Sequence, residues 1–245
     1  KDYDIVHAQH PIAALAMKNI SGKKILSLQG NYSKQILLLH GQTAGSLSEK
    51  LEKNALKWAD KITVPSKEMY QEYVKNGYKV SYVPNAIDIS SFSHDEDRRY
   101  QKQLIYAGRL SEEKGILDLL NFLKLLSKDI HLIILGSGPE ESKVKVMAKR
   151  FPNLHFLGYQ SKENTIKLIR GSDILIQPSL MEGGTSSTIL EAMACKTPII
   201  ATSVDGNKDT IIHMKTGYVV TSNNPPEIHD AVNYLFNNPE KLNYN

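Results

Sequence analysis

The stretch QLIYAGRLSEEKG, residues 103–115, joins a short aliphatic run to a loop that carries one arginine and one lysine. Similar runs recur at intervals of about 20 to 30 residues: HLIILG (131–136), LHFLG (154–158), ILIQPS (174–179), PIIAT (198–202) and GYVV (217–220). Segments with helical spacing separate them, and a last helix is expected from Asn224-Pro225 to about Phe236. Near-continuous apolar strands that alternate with helices predict a doubly wound α/β unit with a parallel sheet.

The first half shows the same alternation in a shorter form. Strands are predicted at DIVHAQ (4–9), KKILSLQ (23–29), KITVPS (61–66) and VSYVPNA (80–86). A helix is predicted over residues 46–59, because its first serine and Glu49 have capping-box spacing. A second is predicted over residues 67–76, between an N-cap at Ser66 and a stop at Gly77. Four strands against six indicate that the first lobe is incomplete.

The polar stretch SSFSHDEDRRYQK (90–102) breaks the apolar pattern, as a linker does. The sequence therefore predicts two Rossmann-like lobes, an incomplete one over residues 1–94 and a second one over residues 95–245. Ligands of doubly wound sheets bind outside the carboxyl ends of the strands. Functional residues are thus expected in the segments that directly follow strands.

Composition and charge exclude several protein classes. With 41% hydrophobic and 23% charged residues, the chain has the make-up of a globular protein. Its net charge of +4 comes from Lys and Arg spread along the chain, which suits an anionic ligand or a membrane surface but is no nucleic-acid signature. No apolar run reaches the ~18 residues of a membrane span. The single cysteine, Cys195, fits a reducing compartment and is expected to be a small buried side chain.

Two loops after predicted strands have the residues of an anion site. Arg109 and Lys114 lie five apart between a strand and a helix, where a guanidinium fork and an ammonium can bind a diphosphate. The alternative for this pair is an exposed charged loop. Gly136 and Gly138 favour a tight turn with Pro139 at the first helical position, and the missing third glycine gives no support for NAD binding.

The segment MEGGTSSTILEA, residues 181–192, leads from a strand into a helix predicted to begin near Thr188. Small residues before a helix N-terminus offer backbone N–H groups to an anion. Thr188 and Glu191 also have capping-box spacing, so a purely structural role for Glu191 stays open. No structural role is apparent for Glu182.

Histidines near strand ends raise the question of a metal. His7 and His10 flank Gln9 at the end of the first strand, but no carboxylate or cysteine cluster accompanies them. We therefore predict hydrogen-bonded structural roles for His7 and His10, and likewise for His131 and His155. No metal site is expected.

Taken together, these segments resemble the retaining glycosyltransferases of family 4, which have the two-lobed GT-B fold. The similar segments are DIVHAQHP, ADKITVPSKEMYQEYVKNG, VSYVPNAIDISSF, YAGRLSEEKG, LGSGPEE, LGY, SDILIQPS, EGGTSSTILEAMACKTPIIAT and TGYVV. They occur in the family's order over nearly the whole chain, and such an ordered set is more specific than any single motif.

The resemblance implies transfer of a sugar from a nucleotide-sugar donor to a saccharide or lipid-linked acceptor, with retention and without a cofactor or metal. It implies that Arg109 and Lys114 neutralise the donor diphosphate and that Glu182 faces the donor sugar. Glu191 would accept hydrogen bonds from the ribose, and Gln9 or His10 would contact the sugar. The further donor-binding residues it implies are Gly108, Gly136, Gly138, Leu157, Gly158, Tyr159, Gly183, Gly184, Thr185, Ser186, Ser187 and Thr188.

Three departures from the family pattern affect this expectation. The family's two glutamates are usually eight positions apart, whereas Glu182 and Glu191 are 191 − 182 = 9 apart. Gln9 stands where the family usually has the histidine that touches the donor sugar, and Gln cannot take a proton. The first residues, KDYDIVHAQ, have no initiator methionine or signal-peptide pattern and begin late in the family's first lobe, so we expect a fragment.

The main expectation is an enzyme of polysaccharide or glycolipid biosynthesis in the cytoplasm, with peripheral contact at the inner face of the membrane. The alternative is a catalytically weak nucleotide-sugar-binding module or scaffold, because the first lobe is incomplete. A nucleotide-sugar epimerase or a phosphorylase fits less well, because GRLSEEKG and EAMA resemble the transferases.

Overall fold

The computed structural model describes residues 3–90, 92, 94–238 and 240, which divide into two compact α/β units. The first unit comprises Lys1–Asn85 with Glu182–Thr185, and the second comprises Ala86–Met181 with Ser186–Asn245. The boundary between residues 94 and 95 stays a prediction. Two residues of the predicted linker, Ser91 and Ser93, lie outside the described residues.

The second unit is built on a six-stranded parallel sheet, which confirms the six predicted strands. The strands are β5 (Gln103–Ala107), β6 (His131–Leu135), β7 (Leu154–Gly158), β8 (Ile174–Gln177), β9 (Ile199–Thr202) and β10 (Tyr218–Val220), in the order β10-β9-β8-β5-β6-β7. The chain winds outward from β5 in one direction to β7 and in the other to β10. This reversal beside β5 is the topological switch point at which α/β sheets bind ligands.

Helices cover both faces of this sheet. They are α3 (Ile116–Leu123), α4 (Glu141–Arg150), α5 (Lys162–Arg170), α6 (Ser187–Cys195), α7 (Asp205–Thr210) and α8 (Pro225–Asn237). Alternate residues of β5 belong to two separate apolar clusters, since Leu104 and Tyr106 pack into one and Ile105 and Ala107 into the other. A strand buried on both faces explains why its sequence is almost continuously apolar.

Local capping sets several helix starts. Asn224 caps α8 by accepting from the Glu227 N–H, and proline follows it at the first helical position, as predicted. The helix after Gly138 begins at Glu141, two residues later than the position predicted for Pro139. Cys195 ends α6 as a buried residue, which confirms its predicted role, and burial raises the pKa of its thiol.

The first unit has a four-stranded parallel sheet, as predicted. Its strands are β1 (Ile5–Ala8), β2 (Lys23–Ser27), β3 (Lys61–Val64) and β4 (Val80–Tyr82), in the order β1-β2-β3-β4. A 3₁₀ helix (Ala13–Asn19), α1 (Tyr32–Trp58) and α2 (Lys67–Lys75) connect them. Right-handed connections between neighbours in this order all cross one face of the sheet, where Leu26, Ile62 and Val64 form the core.

The predicted start of the first long helix was wrong. Helix α1 begins at Tyr32, because the Asn31 side chain accepts from the Lys34 N–H at 3.0 Å. Gly41 bends it with a φ of 80°, so that two helical segments meet there. Glu49 lies inside the second segment and pairs with Lys53 at 2.6 Å instead of capping. The prediction for α2 is confirmed, with Ser66 accepting from the Met69 N–H at 3.2 Å.

Candidate functional site

A cavity of about 540 Å³ opens at the carboxyl ends of β5, β6 and β7 in the second unit. Its lining consists of the last residues of β5 and β6, loop residues, the start of α6 and one residue of α5: Ala107, Gly108, Arg109, Leu135, Gly136, Ser137, Gly138, Tyr159, Gln160, Thr165 and Thr188. Six residues of the predicted donor set therefore lie together here, namely Gly108, Arg109, Gly136, Gly138, Tyr159 and Thr188. The switch-point position is where the sheet topology predicts a ligand.

The two glycines after β6 allow this loop to pack against the loop after β5. Gly136 has a φ of 126°, and a Cβ there would lie 1.8 Å from the Gly108 carbonyl oxygen. A Cβ on Gly138 would lie 2.4 Å from the Leu110 carbonyl oxygen. The Leu110 N–H donates to the Ser137 carbonyl at 2.9 Å, so backbone also joins the two loops. Glycine is required here by the close approach of the two loops.

The arginine of the first loop, Arg109, is exposed, and its backbone carbonyl accepts a hydrogen bond. The Tyr106 hydroxyl donates to the Arg109 carbonyl at 2.7 Å, and Tyr106 itself is fully buried. The backbone of Arg109 is thereby held at the cavity, and its exposed guanidinium can reach an anion there. Lys114 lies at the end of a 3₁₀ helix (Glu112–Lys114), outside the cavity lining, and is half-buried.

The segment after β7 supplies a second part of the cavity lining, through Tyr159 and Gln160. Gly158 has a φ of 67°, and its carbonyl accepts from the Gly136 N–H at 2.8 Å. The next residue, Tyr159, leaves 79% of its surface exposed, which is unusual for an aromatic side chain. The Gln160 Nε2 donates back to the Leu157 carbonyl at 2.8 Å and closes this turn. Leu157 is therefore part of the turn without lining the cavity.

Sequence reasoning missed several lining residues, of which Gln160 and Thr165 are the polar ones with the clearest local cause. Ser161 caps α5 by accepting from the Asn164 N–H at 3.2 Å, and Thr165 lies one turn further along that helix. The S-x-x-N spacing after a strand would have located the helix start. It does not tell which face of the helix turns toward the cavity.

Helix α6 begins at Ser187, one residue before the predicted start, with Ser186 as an N-cap that makes no side-chain capping bond. Thr188 lies within the first turn, and its hydroxyl donates to the Ala107 carbonyl at 3.2 Å. The helix is thereby fastened to the end of β5. The capping-box interpretation of Thr188 and Glu191 was wrong, because both residues lie inside the helix.

Glu191 is half-buried on the second turn of α6. Burial raises the pKa of its carboxyl group above the ordinary value, and the positive charge of Lys162 partly opposes that effect. A carboxylate with incomplete hydration gains more from a hydrogen-bond donor than an exposed one does.

The other predicted glutamate lies elsewhere in the fold. Glu182 is 6% exposed, and Glu182–Thr185 group with the first unit. Within that unit the Asn85 Nδ2 donates to the Thr185 carbonyl at 2.9 Å. A Cβ on Gly183 would lie 1.9 Å from the Gln29 carbonyl oxygen, and Gly184 is fully enclosed. These four residues are not part of the cavity lining.

The residues at the end of β1 make local hydrogen bonds. The His7 Nε2 lies 2.8 Å from the Ser27 Oγ, and the His10 Nδ1 accepts from the Ile12 N–H at 3.2 Å. The His10 ring meets Tyr32 edge-on at 4.7 Å, and Gln9 is exposed. The hydrogen bonding predicted for both histidines is confirmed, whereas the contact of Gln9 or His10 with a sugar stays a prediction. Within the described part of the chain, no three His, Cys, Asp or Glu side chains come together as metal ligands.

The second pair of histidines is structural, as predicted. The Tyr100 ring stacks on His131 and His155 with centroid distances of 4.1 and 4.3 Å. The Tyr100 hydroxyl lies 3.1 Å from the His155 Nδ1, and the two histidines are joined at 3.0 Å. Burial lowers the pKa of His155, and the nearby charges of His131 and Arg99 lower it further.

Family models identify both parts of the chain. Residues 87–244 match the model of the glycosyl transferases group 1, which is more than half of the chain. The chain belongs to this family of glycosyltransferases. Residues 1–91 match the model of Glycosyltransferase Family 4, in agreement with the resemblance seen in the sequence motifs.

Relatives and solved structures extend this assignment. A glycosyltransferase of unknown specificity from Methanocaldococcus jannaschii is 25% identical over 254 residues, covering 97% of this chain and 60% of its own length. The phosphatidyl-myo-inositol mannosyltransferase of Mycobacterium leprae is 22% identical over 250 residues, covering 97% and 65%. The glycosyltransferase chain thus spans about two thirds or less of these curated relatives.

The fold is also that of solved glycosyltransferases. Anabaena HepE, crystallised in complex with UDP-glucose, superposes with a TM-score of 0.80 at 17% identity, over 98% of this chain and 71% of that one. The predicted fold class, two Rossmann-like α/β lobes of the GT-B type, is confirmed. Among the described residues of this glycosyltransferase, no helix is both long and apolar enough to cross a bilayer.

Proposed function

We propose that this glycosyltransferase moves a sugar from a nucleoside-diphosphate sugar to a saccharide or lipid-linked acceptor, in polysaccharide or glycolipid biosynthesis. The observation that carries the proposal is the cavity at the carboxyl ends of β5, β6 and β7. It combines an exposed guanidinium at Arg109, close-packed glycine loops and an exposed aromatic ring at Tyr159. A cation and an aromatic surface in one cavity suit a diphosphate joined to a base.

The proposed donor orientation follows from the chemistry of two parts of the cavity lining, the loop with Arg109 and the turn with Tyr159. The base lies at the Leu157–Tyr159 turn, where Tyr159 offers a ring face, and the diphosphate lies at Arg109. Gly183, Gly184, Thr185, Ser186 and Ser187 extend the donor set with backbone N–H groups and hydroxyls. The UDP-glucose bound to Anabaena HepE supports uridine nucleotides as the first donors to test.

In the proposed reaction, negative charge develops on the departing diphosphate as the glycosidic bond breaks. Arg109, with Lys114, stabilises that charge, so the transition state gains more than the ground state. This makes the reaction independent of a metal ion and of a cofactor, and the sugar is transferred with retention. Glu191 accepts from the ribose hydroxyls, Glu182 faces the donor sugar, and Gln9 or His10 contacts the same sugar.

The acceptor and the cellular place complete the proposal. The mycobacterial relative is named for mannosyl transfer to phosphatidyl-myo-inositol, which supports a lipid-linked or saccharide acceptor. Such an acceptor places the protein in the cytoplasm with peripheral contact at the inner face of the membrane. The net charge of +4 suits that anionic surface.

Arg109→Ala tests the nucleotide site directly. Charge-assisted hydrogen bonds are worth about 1.5–3 kcal/mol, so UDP should bind roughly 10- to 100-fold more weakly. Uridine lacks the diphosphate, so its affinity should not change, and Arg109→Lys should give an intermediate result. Isothermal titration calorimetry of wild type and variants with both ligands makes the comparison.

Arg150→Ala serves as the matched control, because Arg150 is an exposed arginine on α4 that does not line the cavity. It should bind UDP like the wild type. Equal UDP affinities of Arg109→Ala and the wild type would rule out the diphosphate site.

The second candidate is a nucleotide-sugar-binding module with weak or no turnover. The replacement of the family's histidine by Gln9 favours it. Transfer of radiolabelled sugar from UDP-glucose and other nucleotide sugars to membrane lipids separates the candidates. Binding with transfer identifies the enzyme, whereas binding of the same affinity without transfer identifies the module.

A further inference from the structure

The chain leaves strand β8 at Pro178, and a side chain at the end of β9 contacts the segment beyond this proline. β8 and β9 are paired in parallel up to Gln177 and Ala201. The Thr202 hydroxyl donates to the Ser179 carbonyl oxygen, one residue beyond the proline, and lies 3.5 Å from the Gln177 carbonyl oxygen. A side-chain hydrogen bond thus joins the two segments past the last backbone pair.

The opposite side of this segment is held by the loop after β5. The backbone N–H groups of Leu180 and Met181 both donate to the Glu113 carbonyl oxygen, at 2.9 and 3.2 Å. Gly115 lies so close to the segment that a Cβ there would be 1.8 Å from the Pro178 carbonyl oxygen. Residues 178–181 are therefore fixed between the ends of β5 and β9, the strands on either side of β8.

Thr202 is itself held rigidly. Its side chain is 1% exposed, and its carbonyl accepts from the Val204 N–H at 2.9 Å and from the Asn207 Nδ2 at 3.3 Å. Ser179, which receives its hydroxyl, is fully buried. A hydroxyl on such a fixed and buried residue restricts where the carbonyl that accepts from it can lie.

We propose that Thr202 is a positioning residue, which fixes residues 178–181 and thereby the course of the chain into Glu182. The proposal rests on the proposed function, in which Glu182 faces the donor sugar. Thr202 lines no part of the nucleotide cavity. Its loss should therefore misplace the sugar-facing loop and leave the nucleotide contacts intact.

Thr202→Val removes the hydroxyl at nearly constant volume. Misplacement of a reacting group by about 1 Å can cost up to 100-fold in rate, so kcat should fall about 10- to 100-fold. The Kd for UDP should stay within about twofold, because its cavity lies at β5, β6 and β7. Thr202→Ser retains the hydroxyl and should restore most of kcat. If valine prevents folding, Thr202→Ala removes the same hydroxyl without forcing a shape on the core.

Thr197→Val provides a matched control at the other end of the same strand. Thr197 is 3% exposed, precedes β9, and donates its hydroxyl to the Ile169 carbonyl at 2.8 Å. Both valine variants lose one buried hydroxyl-to-carbonyl bond and should lose similar thermal stability. Only Thr202→Val should lower kcat, and an equal fall of kcat in both variants would overturn the positioning role.

Hydrogen exchange measures the loop without any turnover. In Thr202→Val, the amides of Leu180 and Met181 should exchange faster than in the wild type, and in Thr197→Val they should exchange at the wild-type rate. Unchanged exchange in Thr202→Val would overturn the proposal. A wild type that transfers no sugar from any donor would instead overturn the proposed function, while the exchange result would still decide whether Thr202 fixes the loop.

Discussion

At the scale of single residues, Glu191 offers a test through pH. Its pKa is raised by burial above the ordinary value of 4.5, and the residue is half-buried. From pH 4.5 upward, the folded chain holds its proton more tightly than the unfolded chain does. The folded state then binds more protons, so the free energy of unfolding contributed by this group falls as pH rises through that window.

Glu191→Gln should remove this contribution, because the amide does not titrate. The difference in unfolding free energy between variant and wild type, measured by urea at a series of pH values, should grow from about pH 4.5 upward in favour of the variant. A constant difference for Glu191→Gln would contradict the effect of burial.

What the sequence can predict at this scale depends on whether the residue's partner is close in the chain. Arg109, Gly136 and Gly138 were predictable because each follows directly after a recognisable strand. The capping role that the T-x-x-E spacing left open for Glu191 was wrong, because the same spacing also occurs inside helices. Thr202 went unnoticed, since its acceptor Ser179, just beyond the neighbouring strand β8, is 23 residues away in sequence.

At the scale of elements, the glycine-containing loops after β5 and β6 pack directly against each other, so a change in one should displace the other. In Gly136→Ala, the new methyl group would meet the Gly108 carbonyl oxygen at 1.8 Å, so one loop has to move. The φ of 126° adds backbone strain. We expect the variant to lose more than about 2 kcal/mol of unfolding free energy, and to lose UDP binding because the cavity floor shifts.

Gly158→Ala serves as a comparison that separates the cost of a positive φ from the cost of a steric clash. Gly158 also has a positive φ, 67°, but a Cβ there would meet only the Phe156 Cζ at 4.0 Å. It should therefore cost only about 1–2 kcal/mol from the backbone conformation. Urea denaturation of the two variants compares them, and equal losses would mean that the loops are not in close contact.

Strands were predicted better than helices, for a physical reason. The inner strands β5, β8 and β9 are buried along their whole length, so their sequences are mostly apolar and stand out. The start of α1 was misplaced because Asn31 caps an additional helical segment before Gly41, where it meets the segment that contains the predicted helix.

At the scale of the whole molecule, two units with separate cores follow from the chain division and from the apolar clusters. The two-lobed architecture was predictable because a run of strand–helix repeats stops at the linker and begins again. The nucleotide cavity is lined only by residues of the second unit. A bound nucleotide should therefore raise the free energy of unfolding of the second unit in particular.

UDP should stabilise the second unit more than the first. A ligand that binds only the folded state adds RT ln(1 + [L]/Kd), which is about 2.7 kcal/mol at 100 times the Kd. Hydrogen exchange at increasing denaturant reports each unit separately, through the amides of β5 and β6 for the second and of β2 and β3 for the first. With UDP present at 100 times the Kd, amide exchange in β5 and β6 should slow by about 100-fold, whereas amides of β2 and β3 should exchange as before. Uridine at the same concentration should slow exchange less, because it lacks the diphosphate that Arg109 is proposed to bind. Equal protection of both units would mean that the nucleotide binds outside the cavity of the second unit, or that the two units unfold together.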